Sequence, residues 1–143
     1  MKTATRQSRI GSIRVAEAMH AGVLRCDRDA PLSEVAATMT RERVHCVVVE
    51  SGSGEGGAAW GVISDLDLIA AATVRELDDQ TAGGSAATPV VIVSPAETLE
   101  RAAQLMTEHS TSHLLVVDPA VHRPVGVLST IDIAARLTQE DKR

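Results

Sequence analysis

Two stretches of this chain join a hydroxyl, a carboxylate and a helix start at one spacing: Ser64-Asp-Leu-Asp67 and Ser129-Thr-Ile-Asp132. Each Ser follows an apolar, strand-like run, and each Asp falls three residues later, in the first turn of the helix expected next. That spacing permits a capping box, in which the hydroxyl caps the helix and the acid reaches back to the Ser amide. The box prefers Glu or Gln at the acidic position, and the shorter Asp is expected to reach poorly. Asp67 and Asp132 are then available as charged acceptors for the two hydroxyls of a ribose. Free amides and partial positive charge at the same helix start suit phosphates. The copies differ beside the Ser: Asp65 adds negative charge, whereas Thr130 adds a neutral donor. The Asp132 site is therefore expected to favour phosphorylated ligands more than the Asp67 site.

Other residues with chemistry are sparse. His45 and His113 fall at similar places, near the starts of β-rich runs. Each can bind phosphate when protonated, hydrogen-bond a base when neutral, or simply be satisfied by backbone. Arg28 and Arg123 are candidate phosphate contacts, but no dense Lys/Arg set accompanies them, which favours a monophosphate or nucleoside over a triphosphate. No G-x-S-x-G elbow, Walker loop or G-x-G-x-x-G opens a helix, so an enzyme is not expected. Metal-ligand spacings are missing too. Cys26 and Cys46 lie in apolar runs without a CxxC spacing and read as reduced structural thiols.

The elements that position these residues are written twice. Leu32, Val35, Ala36 and Met39 fall at i, i+3, i+4 and i+7, the apolar stripe of a helix, and Leu99, Ala102, Ala103 and Met106 repeat it. After each helix comes a β-rich run, Val44 to Val49 and Leu114 to Val117, then a turn and a second strand, Ala59 to Ile63 and Pro124 to Leu128. The first turn, Ser51-Gly-Ser-Gly-Glu-Gly-Gly, is loose; the second, Asp118-Pro-Ala-Val-His-Arg, is tighter. A helix closes each unit, Asp65 to about Leu77 and Thr130 to about Leu137. Ahead of the first copy, Ser12 to Met19 reads as a short helix with Ser12 as N-cap, and Val23 to Cys26 as a strand. The order strand, helix, strand, strand, helix, given twice, predicts a mixed α/β, α+β fold of two repeats packed as a pseudo-two-fold pair. The first repeat spans 12–77 and the second 78–137, with tails at 1–11 and 138–143.

Composition narrows the partners. The 143 residues carry 14 Lys and Arg against 19 Asp and Glu, with no basic stripe, which argues against nucleic acid. A basic patch of Lys2, Arg6, Arg9 and Arg14 reads as a solvated tail. No apolar run has membrane-spanning length and no signal peptide leads the chain, so a cytoplasmic location without membrane insertion is expected. A chain of this size buries roughly 70% of its unfolded surface, and the two halves are expected to share a core. Trp60 is the single aromatic residue, so any bound ring must be held by aliphatic side chains and hydrogen bonds.

The succession of a short helix, a strand, a Leu-x-x-Ala/Val-Ala-x-x-Met helix, a Val-rich strand and an apolar Gly-h-h-Ser-x-x-Asp-h segment resembles the CBS domain, the cystathionine β-synthase repeat. Two copies in the right order cover about residues 12 to 137 and resemble a stand-alone tandem pair, a Bateman module. The resemblance implies a regulatory module that binds AMP, ADP, ATP, S-adenosylmethionine or NAD in clefts between repeats and reports occupancy to an effector protein. It also implies a homodimer, and the ribose role for Asp67 and Asp132 with Ser64, Ser129 and Thr130 beside them. By the same resemblance Val23, Leu24, Val44 and His45 would contact the adenine for Asp132, and Val90, Val91, Thr111, Ser112 and His113 for Asp67. The first unit reads one residue shorter before its strand. A ligand-free dimeric scaffold is the alternative, because the closing helices carry small residues suited to close packing: Ala70, Ala71, Ala72, Ala134 and Ala135.

Overall fold

A computed structural model describes residues 9–51, 58–86 and 90–138. Lys2, Arg6, the Gly-rich turn and the last five residues lie outside the described residues. The chain divides into two compact units, one made of 1–22 with 91–143, the other of 23–90. The N-terminal segment therefore belongs with the second repeat.

Unit 23–90 contains β2 (Arg25–Asp27), α2 (Leu32–Glu42), β3 (Cys46–Ser51), β4 (Ala58–Ser64), α3 (Asp65–Ala72) and α4 (Ala82–Ser85). Its sheet has the order β2-β3-β4, with β2 parallel and β4 antiparallel to β3. The other unit contains α1 (Val15–Ala18), β1 (His20–Ala21), β5 (Ile92–Val93), α5 (Leu99–His109), β6 (His113–Asp118), β7 (Arg123–Ser129) and α6 (Thr130–Thr138). Its sheet runs β1-β7-β6-β5, and β1 lies antiparallel on β7.

The apolar stripes read from the sequence are the cores. Leu32, Val35, Met39, Val47, Val49, Ile63 and Leu68 are buried together in one unit. Their repeat partners Leu99, Ala102, Met106, Leu114, Val116, Leu128 and Ile133 are buried together in the other. One shared core was expected; each unit has a core cluster of its own, and what the halves exchange is segments. Ala82 of the second repeat fills the first core, and Ile10 and Val15 fill the second.

Backbone hydrogen bonds fasten these exchanged segments the same way twice. Leu32 N donates to Gln80 O at 2.9 Å and Ala82 N to Ala30 O at 2.8 Å; Leu99 N donates to Ile13 O at 2.8 Å and Val15 N to Glu97 O at 2.7 Å. This attachment corrects the first helix. Arg14 is extended (φ −86°, ψ 152°) because it bridges Thr98, so α1 starts at Val15 and Arg14, not Ser12, is its N-cap. The Ser12 hydroxyl donates to Arg9 O instead.

Three other boundaries move for local reasons. The strand predicted over Val23 to Cys26 begins at Arg25, although Leu24 O already accepts from Val48 N. The strand predicted from Val44 starts at Cys46, because Arg43 turns left-handed (φ 58°) and Val44 N closes back on Met39 O. The helix predicted to Leu77 stops at Ala72, where the Gln80 amide takes the carbonyls of Ala71 and Arg75 at 2.9 and 3.0 Å.

Gly126 is the point where β1 and β7 come closest. A Cβ built there would stand 2.5 Å from His20 O and 2.8 Å from Met19 Sδ, and the first of these is backbone that cannot swing aside. Gly126→Ala should therefore cost about 1–3 kcal/mol, the usual scale of overpacking. Urea unfolding followed by circular dichroism measures this, and an unchanged midpoint would show that β1 is not held as described.

Candidate functional site

Both Ser-x-x-Asp segments sit where a strand turns directly into a helix. Ser64 ends β4, pairs with Cys46 and is extended (φ −100°, ψ 168°), which aims its hydroxyl over the first turn of α3. Ser64 N and Oγ donate to Asp67 Oδ2 at 2.9 and 3.0 Å, and Asp67 N donates to Ser64 Oγ at 3.3 Å. Ser129 and Asp132 repeat the arrangement at 2.8, 3.0 and 3.4 Å. The expectation that Asp would reach poorly is thus overturned: one carboxylate oxygen gathers both Ser donors. The box occupies Oδ2 and leaves Oδ1 to face other donors.

The two Oδ1 atoms differ. Among the described residues Asp67 Oδ1 has no hydrogen-bond partner, whereas Asp132 Oδ1 lies 3.2 Å from His20 Nδ1. His20 was missed by the sequence reading. No motif contains it, and only the pairing of β1 with β7 brings it to the second helix start.

Free amides were expected at both helix starts. At α3 the first three are taken: Asp65 N by His45 O at 3.0 Å, Leu66 N by Asp65 Oδ1 at 2.9 Å and Asp67 N by Ser64 Oγ. At α6 Thr130 N is taken by Ser112 O at 3.0 Å and Asp132 N by Ser129 Oγ, while Ile131 N has no partner among the described residues. The open amide is thus beside Thr130, not beside Asp65.

The repeats also align differently from the sequence reading. A single offset of 67 residues carries helix, left-handed cap and strand from one copy to the other: Arg43 (φ 58°) matches Ser110 (φ 52°), and Cys46 at the start of β3 matches His113 at the start of β6. The first unit is not shorter there, and His45 corresponds to Ser112, not to His113. His45 Nδ1 lies 3.0 Å from Asp65 Oδ2, so the negative charge of Asp65 has a partner beside it. His113 Nδ1 lies 2.9 Å from Ser112 Oγ, and Thr111 Oγ1 donates to His113 O at 3.1 Å.

The expected site residues are divided between the two units. Ser64, Asp67, Val44 and His45 lie in one unit with Val23, Leu24 and Val90; Ser129, Thr130, Asp132, Thr111, Ser112 and His113 lie in the other with Val91, whose carbonyl accepts from Leu115 N at 2.9 Å. Arg123 is not beside Ser129. It starts β7 and Ser129 ends it, roughly 20 Å away at strand rise, beyond the reach of its side chain. A separate open cavity of about 340 Å³, lined by Arg25, Cys26, Asp27, Glu34, Thr38 and Val47 among others, includes none of the nominated residues.

Both thiols are free. Burial pushes Cys46 up to about 12, and the nearby carboxylates of Asp67 and Asp65 add to the rise. Cys26 is pushed to about 11, by desolvation first and then by Asp27, Glu34 and Glu50. Neither is a nucleophile near neutral pH. Among the described residues no group of three or more His, Cys, Asp or Glu is placed to hold a metal ion, and no helix is long and apolar enough to cross a membrane.

Two α+β repeats, each ending in a strand-to-helix turn capped by Ser and Asp, define a tandem-repeat class of small domain. The sequence pattern of the CBS domain matches residues 15–73 and 85–139, and the chain belongs to the CBS-domain family. No curated protein matches it closely. Among solved structures it is similar to the CBS-domain protein ATU1752 from Agrobacterium tumefaciens (18% identity, 94% of this chain and 98% of that one, TM-score 0.74). It is similar also to PAE2072 from Pyrobaculum aerophilum, a CBS domain protein complexed with AMP (27%, 87% and 98%, 0.72). A third similar structure is the CBS domain pair of protein MJ0100, in complex with 5-methylthioadenosine and S-adenosyl-L-methionine (19%, 85% and 93%, 0.73).

The raised thiols make stability fall at alkaline pH. Below pH 9 both states keep their protons; above it the unfolded thiol ionises first, so the unfolded state gains until pH approaches the folded value. For Cys46 the window runs from 9 to about 12, with a loss of up to about 1.4 kcal/mol per pH unit. Cys46→Ala should flatten that slope in urea titrations at pH 8, 9 and 10; a slope equal to wild type would contradict the assignment.

Proposed function

We propose that this chain is a regulatory module that binds an adenosine-containing ligand at Asp67 and Asp132 and signals occupancy to a partner protein. The ligand is of the AMP, ADP or ATP type, or S-adenosylmethionine or NAD. One observation carries the reading: each helix start fixes a carboxylate by one oxygen, leaving Oδ1 to accept ribose hydroxyls, charged hydrogen bonds worth about 1.5–3 kcal/mol. The adenosine ligands of PAE2072 and MJ0100 support the same ligand class.

The reading assigns Val23, Leu24, Val44, His45, Val90, Val91, Thr111, Ser112 and His113 to the adenine side. It assigns phosphate to α6, where Ile131 N and the Thr130 hydroxyl are available, and a less phosphorylated ligand to the Asp67 site. Catalysis has no place in it, since the Ser hydroxyls are spent on helix caps and the thiols are protonated.

A second reading, a dimeric scaffold, is favoured by the outer faces of the closing helices. Leu66 and Ile69 on α3 are 69% and 63% exposed, and Ile131 on α6 is 65% exposed. Ala71, nominated for close packing between subunits, faces the core instead. The exposed apolar faces are also what a homodimer of a ligand-binding module would cover, so the two readings share this surface.

Thermal shift with AMP, ADP, ATP, S-adenosylmethionine and NAD tests the first reading. A ligand at 100 times its Kd should add about 2.7 kcal/mol. Asp67→Asn and Asp132→Asn should each abolish one site; no shift with any of the five overturns the reading, and a shift that neither substitution affects places the ligand elsewhere. For the homodimer, sedimentation should show a dimer that Leu66→Glu with Ile131→Glu converts to monomer, and a monomeric wild type would exclude it.

A further inference from the structure

We infer that His20 is a built-in competitor for the Asp132 site, which weakens ribose binding there until its ring is displaced. The inference rests on the ribose reading of Asp132 and adds the residue that regulates it.

His20 reaches the carboxylate because three features hold its backbone there. Its Cα partner in the β1–β7 pairing is Val127, two residues before Ser129. Gly126 lets the His20 carbonyl lie where a side chain would otherwise stand. Arg136, one turn beyond Asp132 on α6, donates through Nη2 to Glu17 O at 2.6 Å and ties α1 to the same helix. The ring then meets Asp132 Oδ1 at 3.2 Å, the one oxygen that the Ser129 box leaves open.

The contact is made to be replaced. The Asp132 side chain is 9% exposed but that of His20 is 75% exposed, so the ring covers the carboxylate from the solvent side and can leave without opening the core. Ribose hydroxyls would need the oxygen that His20 holds. Among the described residues no such competitor meets Asp67, whose Oδ1 is unpartnered there. The ring is exposed and held weakly, so the competition is modest and lowers affinity without blocking the site.

Isothermal titration with AMP on wild type, His20→Ala, Asp132→Asn and the double variant tests this. His20→Ala should tighten the Asp132-dependent binding roughly two- to five-fold, the range of a weak contact made by an exposed side chain. It should leave Asp67-dependent binding unchanged, and the gain should vanish in the double variant. Asp132-dependent binding that is equal or weaker in His20→Ala overturns the inference alone. AMP binding that is present but insensitive to Asp132→Asn, or absent from all four proteins, overturns the ribose reading at Asp132 and the inference with it. Asn can keep the cap to Ser129, so loss of binding in Asp132→Asn is read on folded protein, checked by circular dichroism.

Discussion

The pair of backbone hydrogen bonds that joins each short helix to the start of the long helix in its unit decides which parts of the chain make a core. Leu99 N to Ile13 O and Val15 N to Glu97 O attach the N-terminal segment to α5, and Leu32 N to Gln80 O and Ala82 N to Ala30 O attach α4 to α2. These bonds bring the apolar side chains of each added segment into the core beside the long helix. A core of this size needs the extra apolar contribution, Val15 and Ile10 on one side and Ala82 on the other. The same attachment delivers β1 to the edge of β7, and with it His20 to Asp132.

Duplication preserved packing more strictly than it preserved polar chemistry. Core positions match across the repeats from Leu32 and Leu99 to Leu68 and Ile133, and both hairpins even share a bulge, after Val49 and after Val116. Volume must be conserved at such positions, because a misfit there is felt at once. The surroundings of the two caps differ. His45 stands beside Asp65 in one copy where Ser112 stands near Thr130 in the other, and among the described residues the second helix start has an open amide where the first has none in its first turn.

The fold was largely legible because helix and strand periods are local and were stated twice. The stripes at 32–39 and 99–106 identified the long helices, and the Ser and Asp pairs identified where the closing helices begin. Boundaries set by distant partners were not legible: nothing near Ser12 reveals that Arg14 must stay extended to bridge Thr98, and nothing near Thr73 reveals that Gln80 will take the carbonyls of α3. The alignment of His45 with His113 failed for a related reason. Chemical likeness suggested it, but the left-handed caps at Arg43 and Ser110 set the register, and αL geometry at an Arg or a Ser leaves no sequence signature as Gly would.

By itself, then, the sequence determined the repeated elements, the apolar faces and the two carboxylates, since periodicity and spacing act over a few residues. Only the tertiary structure decided what those carboxylates face. Whether Oδ1 is open, as in Asp67, or met by an imidazole, as in Asp132, depends on a contact between residues 112 positions apart, and chain separation of that length carries no local signal.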